Sequence, residues 1–232
     1  ANLLASDGEL PLAVVRLTAE AFSGARIQDG RLEAGAGIAL EPLIRKAIGE
    51  GLSGLEGLVG IPATLGGALA MNAGSRHAEI SGCLKELTVV EASGEIRVLR
   101  KADCGFGYRK SLLKGMTVVS AAFEPGPGDP EALREAAKRI KEAKAATQPL
   151  GDSSAGCIFR NPDGKSAGQL IDSAGLKGAR EGQAQVSARH ANFMVNLGGA
   201  SADDMNRLID RVRDAVRRTH GVELELEVVR WP

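Results

Sequence analysis

At 232 residues the chain has room for one large domain or two small ones, each with its own core. Lys plus Arg and Asp plus Glu each total 29, so no net field draws the chain to nucleic acid or anionic membrane. Aromatics are 3% of residues, which leaves few rings to stack on bases.

Cys83, Cys104 and Cys157 form no CxxC pair, and His77, His190 and His220 show no ligand spacing. No metal is therefore expected, and a reducing cytoplasm is the simplest compartment. No apolar run reaches membrane-spanning length, and no signal peptide is expected. The 30 glycines cluster rather than scatter, marking places where backbone turns sharply or approaches a ligand.

In chain order, the apolar run from Ala13 to Leu17 is expected to be a brief strand, and 25–36 a hairpin around Asp29-Gly30. Leu40, Leu43, Ile44, Ala47 and Ile48 then share one helical face. The densest glycine region, 57–74, follows. A second hairpin pairs 84–91 with 96–99 about Ser93-Gly94, and 117–123 is a further strand.

Pro125-Gly126-Pro127-Gly128 reads as a linker and the clearest domain boundary. Asp129 can cap the next helix with Pro130 at its first position, and Leu133, Ala136, Ala137 and Ile140 line one face. Beyond a glycine turn at 151–156 come a short strand at 157–159, a helix near 167–174 and a strand-like run at 190–196. Ser201 opens the clearest helix, with Met205, Leu208, Ile209, Val212 and Val216 on one face and Gly221 closing it. Residues 223–228 alternate Glu with Leu and Val, a period-two strand.

Three segments can carry chemistry. In 60–74, small residues would let backbone N–H groups approach a phosphate or a flat ring, and a helix start would favour negative charge. It contains neither a P-loop lysine nor G-x-G-x-x-G, and a close-packed helix turn accounts equally well for the glycines. Arg109, beside the only tyrosine, Tyr108, could grip a carboxylate with two parallel hydrogen bonds, although a surface arginine is the more common outcome. Cys157, after Gly156 and four residues before Asn161, could donate a proton or act as nucleophile; taken alone it reads as a small buried cysteine. Glu227 lies opposite the Leu224/Leu226 face and would ordinarily be a solvated carboxylate.

Taken together, the segments resemble the UDP-N-acetylenolpyruvoylglucosamine reductases. The order G-I-P-x-T-x-G-G-A…N-A-G (60–74), F-x-Y-R-x-S (106–111), A-G-x-x-F-x-N-P (155–162) and L-x-x-E-V (224–228) is that family's, and L-K-G, Q-V-S and H-A-N-F at 176, 185 and 190 also match it. The resemblance covers essentially the whole chain, beginning within the family's S-N-L-L loop at Asn2. The family's leading flavin-binding segment is expected to be missing ahead of Ala1. Two further departures are Ala63, where the family usually has glycine, and Cys157, where it has serine.

The resemblance implies an α+β fold. An FAD-binding domain of the vanillyl-alcohol-oxidase/PCMH type would fill 1–125, a linker and helix 126–146, and a smaller α+β substrate-binding domain with a C-terminal strand 147–232. FAD would be held by Asn2, Leu3 and Leu4, by Gly60, Ile61, Pro62, Thr64, Gly66 and Gly67, and by Asn72, Ala73 and Gly74. Arg109, Cys157 and Glu227 would be catalytic, while Tyr108, Asn161 and His190 would bind substrate. NADPH would reduce FAD, and hydride would then pass to C3 of an enolpyruvyl UDP-sugar. Arg109 would stabilise the growing charge, Glu227 would polarise the carboxylate and Cys157 would protonate C2. A cytoplasmic monomer without nucleic-acid or membrane partners is expected. The alternatives are a flavoprotein oxidase of the same fold, against which the Y-R-x-S and A-G-C-x-F-x-N-P pair argues, and a non-catalytic fragment.

Overall fold

The computed structural model describes residues 2–10 and 12–231. The chain divides into two compact units, Val14–Ala143 and Ala1–Ala13 with Lys144–Pro232. In chain order the elements begin with β1 (Leu3–Ala5), α1 (Glu20–Ser23), β2 (Ala25–Gln28), β3 (Arg31–Gly35) and α2 (Leu40–Gly49). Next come β4 (Leu52–Ser53), α3 (Leu65–Ala70), β5 (Leu84–Val90), β6 (Ile96–Arg100), β7 (Thr117–Phe123), β8 (Gly126–Pro127) and α4 (Pro130–Thr147). The last are β9 (Ser154–Cys157), α5 (Ala167–Ser173), β10 (Arg180–Glu181), β11 (Ala184–Val186), β12 (Phe193–Asn196), α6 (Ala202–His220) and β13 (Val229–Trp231).

The 14–143 unit is built on a five-stranded antiparallel sheet in the order β2-β3-β7-β5-β6. The β2/β3 hairpin turns at Asp29 and Gly30, both with positive φ (50° and 74°), as a two-residue turn requires. Alternate residues Leu32 and Ala34 of β3 and Leu87 and Val89 of β5 point into the core, where α2 buries Leu40, Leu43, Ile44, Ala47 and Ile48. Ala13 to Leu17 form no strand: Val14 and Val15 are exposed, and the segment leads to a close approach on β3. A Cβ on Gly37 would collide with the Leu17 carbonyl, and one on Gly35 with the Phe22 backbone. The Pro/Gly linker contributes a two-residue strand, β8, which pairs with β4.

In the other unit, β10-β11-β12-β9 form an antiparallel sheet over a core that includes Ile158, Phe159, Ile171, Val186 and the apolar face of α6. Helix α6 carries a full capping box. Ser201 Oγ accepts the Asp204 N–H at 2.9 Å, and the Asp204 carboxylate accepts the Ser201 N–H at 3.1 Å. Gly221, at φ 65°, closes the helix. The expected 223–228 strand alternates as anticipated, with Leu224 buried and Glu225 exposed, yet it makes only the isolated bridge Phe159↔Leu226. Regular pairing starts at β13, parallel to β1. The parallel partner comes from the far end of the sequence, which period-two alternation cannot reveal.

Candidate active site

In the 14–143 unit, the glycine-rich loop enters α3 through Thr64, whose Oγ1 caps the helix by accepting the Gly67 N–H at 3.3 Å. The Leu65 and Gly66 N–H groups donate to Ile38 and Ala36 carbonyls, both at 2.8 Å. These first donors of α3 are therefore consumed inside the protein, and the expected phosphate cradle at the helix start is not formed by them.

The outer surface of the loop tells a different story. Pro62, Thr64, Gly67 and Ala70 are exposed, and none carries a long side chain. A Cβ on Gly66 would come within 3.0 Å of Ala36 Cβ, so close packing from below explains that glycine. Above Gly67 a Cβ would meet nothing nearer than Thr64 Oγ1 at 3.4 Å. An exposed surface so poor in side chains leaves the backbone open to close approach by a ligand. The entrance to the loop is anchored by Glu41, whose carboxyl is held below the usual carboxylate range. The chief cause is Lys141 donating to it at 3.0 Å, with the Gly60 N–H a further donor acting against the cost of burial.

The Y-R-x-S segment is fastened to this loop by three hydrogen bonds. Arg109 donates through Nη2 to the Gly74 carbonyl at 2.6 Å, Ser111 Oγ donates to the Ala70 carbonyl at 2.6 Å, and Asn72 Nδ2 donates to the Gly107 carbonyl at 3.0 Å. Arg109 also lies 5.2 Å from the Tyr108 ring centroid. Asn72 and Arg109 both have left-handed backbones, φ 46° and 52°, which for non-glycine residues costs roughly 1–3 kcal/mol each. Asn72 is fully buried and its amide is committed within the protein. Besides Gly107 it donates to Glu79 Oε2 at 3.1 Å and accepts the Ser81 N–H at 3.4 Å. Its side chain thus organises the arginine loop from beneath. Glu79 and Ser81 were not singled out from the sequence, since nothing in a carboxylate or serine at that spacing distinguishes them from surface residues.

The other unit gathers a second set. Cys157 ends β9, half-buried and in register with Phe193 of β12, directly after Gly156 at φ 89°. The Glu227 N–H donates to the Ile158 carbonyl at 2.8 Å, so the half-buried Glu227 is attached one residue beyond Cys157. Asn2 donates through Nδ2 to the Glu227 carbonyl at 3.1 Å, while its own carbonyl accepts the Val229 N–H at 3.0 Å. Leu3 and Leu4 continue that pairing as β1. Asn161 Oδ1 accepts the Ala167 N–H at 3.0 Å at the start of α5.

His190 is half-buried against Phe193, with ring centroids 4.9 Å apart, and its Nδ1 accepts the Asn192 N–H at 3.3 Å. Burial pulls its pKa below the usual imidazole value, and the Lys177 cation adds to that. Among the described residues no cluster of His, Cys, Asp and Glu could hold a metal ion, and no helix is long and apolar enough to cross a membrane.

Residues 4–100 match the FAD binding domain family, and residues 148–231 match the UDP-N-acetylenolpyruvoylglucosamine reductase, C-terminal domain family. The reductase of Alkalilimnicola ehrlichii is 43% identical over 98% of this chain and 76% of its own length. That of Heliobacterium modesticaldum is 46% identical over 98% of this chain and 73% of its own. The crystal structure of the UDP-N-acetylenolpyruvylglucosamine reductase from Thermus caldophilus superposes with a TM-score of 0.87 at 40% identity, covering 100% of this chain and 82% of that one. With both halves matched in order and the fold shared from end to end, the chain belongs to the UDP-N-acetylenolpyruvoylglucosamine reductase family of FAD-dependent oxidoreductases, with an α+β fold.

Proposed function

We propose that the protein uses NADPH to reduce UDP-N-acetylglucosamine enolpyruvate to UDP-N-acetylmuramate, a step in peptidoglycan precursor synthesis. It acts as a cytoplasmic monomer without nucleic-acid or membrane partners. Residues 1–125 carry the flavin, 126–146 link, and 147–232 bind the sugar nucleotide. The observation that supports this reading most is the Arg109 guanidinium held on the Gly74 carbonyl at the end of the exposed glycine-rich surface.

FAD, when bound, supplies the hydride that reaches C3 of the enolpyruvyl group. Asn2, Leu3, Leu4, the 60–67 surface and Asn72-Ala73-Gly74 hold it, with Asn72 acting through the backbone it organises. Arg109 offers a planar cation to the substrate carboxylate, where negative charge grows in the transition state. Glu227 polarises that carboxylate, and the Cys157 Sγ–H delivers the proton to C2 as general acid. Tyr108, Asn161 and His190 bind the substrate. A His190 pKa below the usual range keeps its imidazole neutral at pH 7, with Nδ1 engaged as acceptor and Nε2–H left as donor.

Purified protein should be yellow, should bleach with NADPH and should recover its colour when the enolpyruvyl substrate is added. A colourless protein that FAD does not reconstitute would sink this reading in favour of a non-catalytic chain. Recovery with oxygen but not with substrate would favour an oxidase.

A further inference from the structure

We infer that Asn192 is a positioning residue that sets the spacing of Cys157, Glu227 and His190, an inference that rests on the roles proposed for those three. Asn192 is 3% exposed, and its side-chain amide, N–H and carbonyl each bond to one of their segments. Its side chain grips one residue by both edges: Nδ2 donates to the Phe159 carbonyl at 2.8 Å and Oδ1 accepts the Phe159 N–H at 3.0 Å. Its own carbonyl accepts the Ile158 N–H at 2.9 Å, and its N–H donates to His190 Nδ1 at 3.3 Å.

The two residues it grips are those on which the tail hangs. Ile158 accepts the Glu227 N–H at 2.8 Å and the Val228 N–H at 3.4 Å, and Phe159 bridges Leu226. Cys157 immediately precedes them. The β9/β12 ladder ends at the Cys157–Phe193 pair, with its register shift on the Ser154 side of that pair. Just beyond that end, the Asn192 amide adds a two-point clamp whose donor and acceptor cannot be exchanged without leaving a buried group unpaired.

The test compares Asn192→Ala and Asn192→Asp in the flavin-loaded protein. NADPH bleaching and flavin content should match the unmodified protein in both. Reoxidation by saturating enolpyruvyl substrate should fall about tenfold to a hundredfold, with KM changed far less than kcat. Asn192→Asp carries a further signature. Its ionised carboxylate faces the Phe159 carbonyl, whereas its protonated form regains an O–H donor there. Burial at this 3% exposed position pushes that carboxyl upward, so its reoxidation rate should climb toward the unmodified rate as pH falls from about 8 to about 5. His190, Arg189, Cys157, Arg160, Glu225 and Glu227, ionisable groups on the segments it joins, are present in both proteins, so the difference between profiles isolates position 192.

Reoxidation within about twofold of the unmodified rate in Asn192→Ala, or an Asn192→Asp profile parallel to the unmodified one, would overturn the inference. Failure of both variants to fold would also overturn it, making Asn192 a residue of the fold alone. Cys157→Ala is measured alongside: normal reoxidation there would instead remove the proposed roles on which the inference rests.

Discussion

Arg109 combines a left-handed backbone with a guanidinium that bonds the Gly74 carbonyl. Arg109→Lys preserves the charge and the backbone cost, and so isolates the planar fork. NADPH reduction of the flavin should survive, while kcat for the enolpyruvyl substrate should drop by about a hundredfold or more; unchanged turnover would remove Arg109 from the reaction. The three thiols should behave very differently. Burial pushes Cys83 up to about 11, and burial aided by Asp103 raises the fully buried Cys104. Iodoacetamide at pH 8 should therefore spare Cys83 and Cys104, and alkylation of the half-buried Cys157, mapped by mass spectrometry, should abolish substrate turnover and not NADPH reduction. A thiol acting as general acid must hold its proton, and a thiol gives it up at lower pH than a serine hydroxyl does. Turnover should thus fall at alkaline pH, and Cys157→Ser should stay active and lose that limb. Cys157→Ala should reduce normally and stall in reoxidation; reoxidation at the full rate would exclude Cys157 as donor.

Local signals were strong where they are local in origin. The start of α6 at Ser201, the Asp29-Gly30 hairpin and the α2 face each follow from a few neighbouring residues, and each appears in the structure. Ser201→Ala removes the acceptor for the Asp204 N–H and should cost roughly 1 kcal/mol, read as a lower urea midpoint with unchanged slope. The 13–17 run forms no strand because Ala13, Val14 and Val15 are exposed and only Leu17 packs inward, its carbonyl against Gly37, a contact set by another element. The site divides the same way. Arg109, Cys157 and Glu227 were named through resemblance to a family, since a lone arginine, cysteine or glutamate carries no signal of its own. Glu79 and the phosphate-free start of α3 depend on which partner each N–H or amide finds, which no spacing encodes.

Over the whole molecule, acidic and basic side chains balance at 29 each, giving a formal net charge of zero at pH 7. Mutual repulsion is weakest there, so solubility in a polyethylene glycol titration should pass through a minimum near pH 7 and rise on either side. A monotonic trend would mean that local patches dominate. The apolar interior forms two separate clusters, one around Leu43, Leu87 and Phe123 and the other around Phe159, Ile171 and Val212. Val212→Ala should cost about 2 kcal/mol or more in its own unit, and calorimetry should show one transition displaced while the other holds its midpoint. A single transition moving as a whole would show that the two cores melt together.

The parallel pairing of Leu3–Ala5 with Val229–Trp231 joins nearly opposite ends of the polypeptide. A ribosome makes Leu3–Ala5 well over two hundred residues before their partner, Val229–Trp231. Residues 14–143 have every partner strand in hand once residue 143 has emerged, whereas the first strand waits for the last. At about 5–20 residues per second that wait is roughly ten to fifty seconds, during which an apolar strand edge stays unpaired. The arrival of β13 therefore does more than complete a pair: it takes β1 out of circulation as a place where nascent chains can stick together.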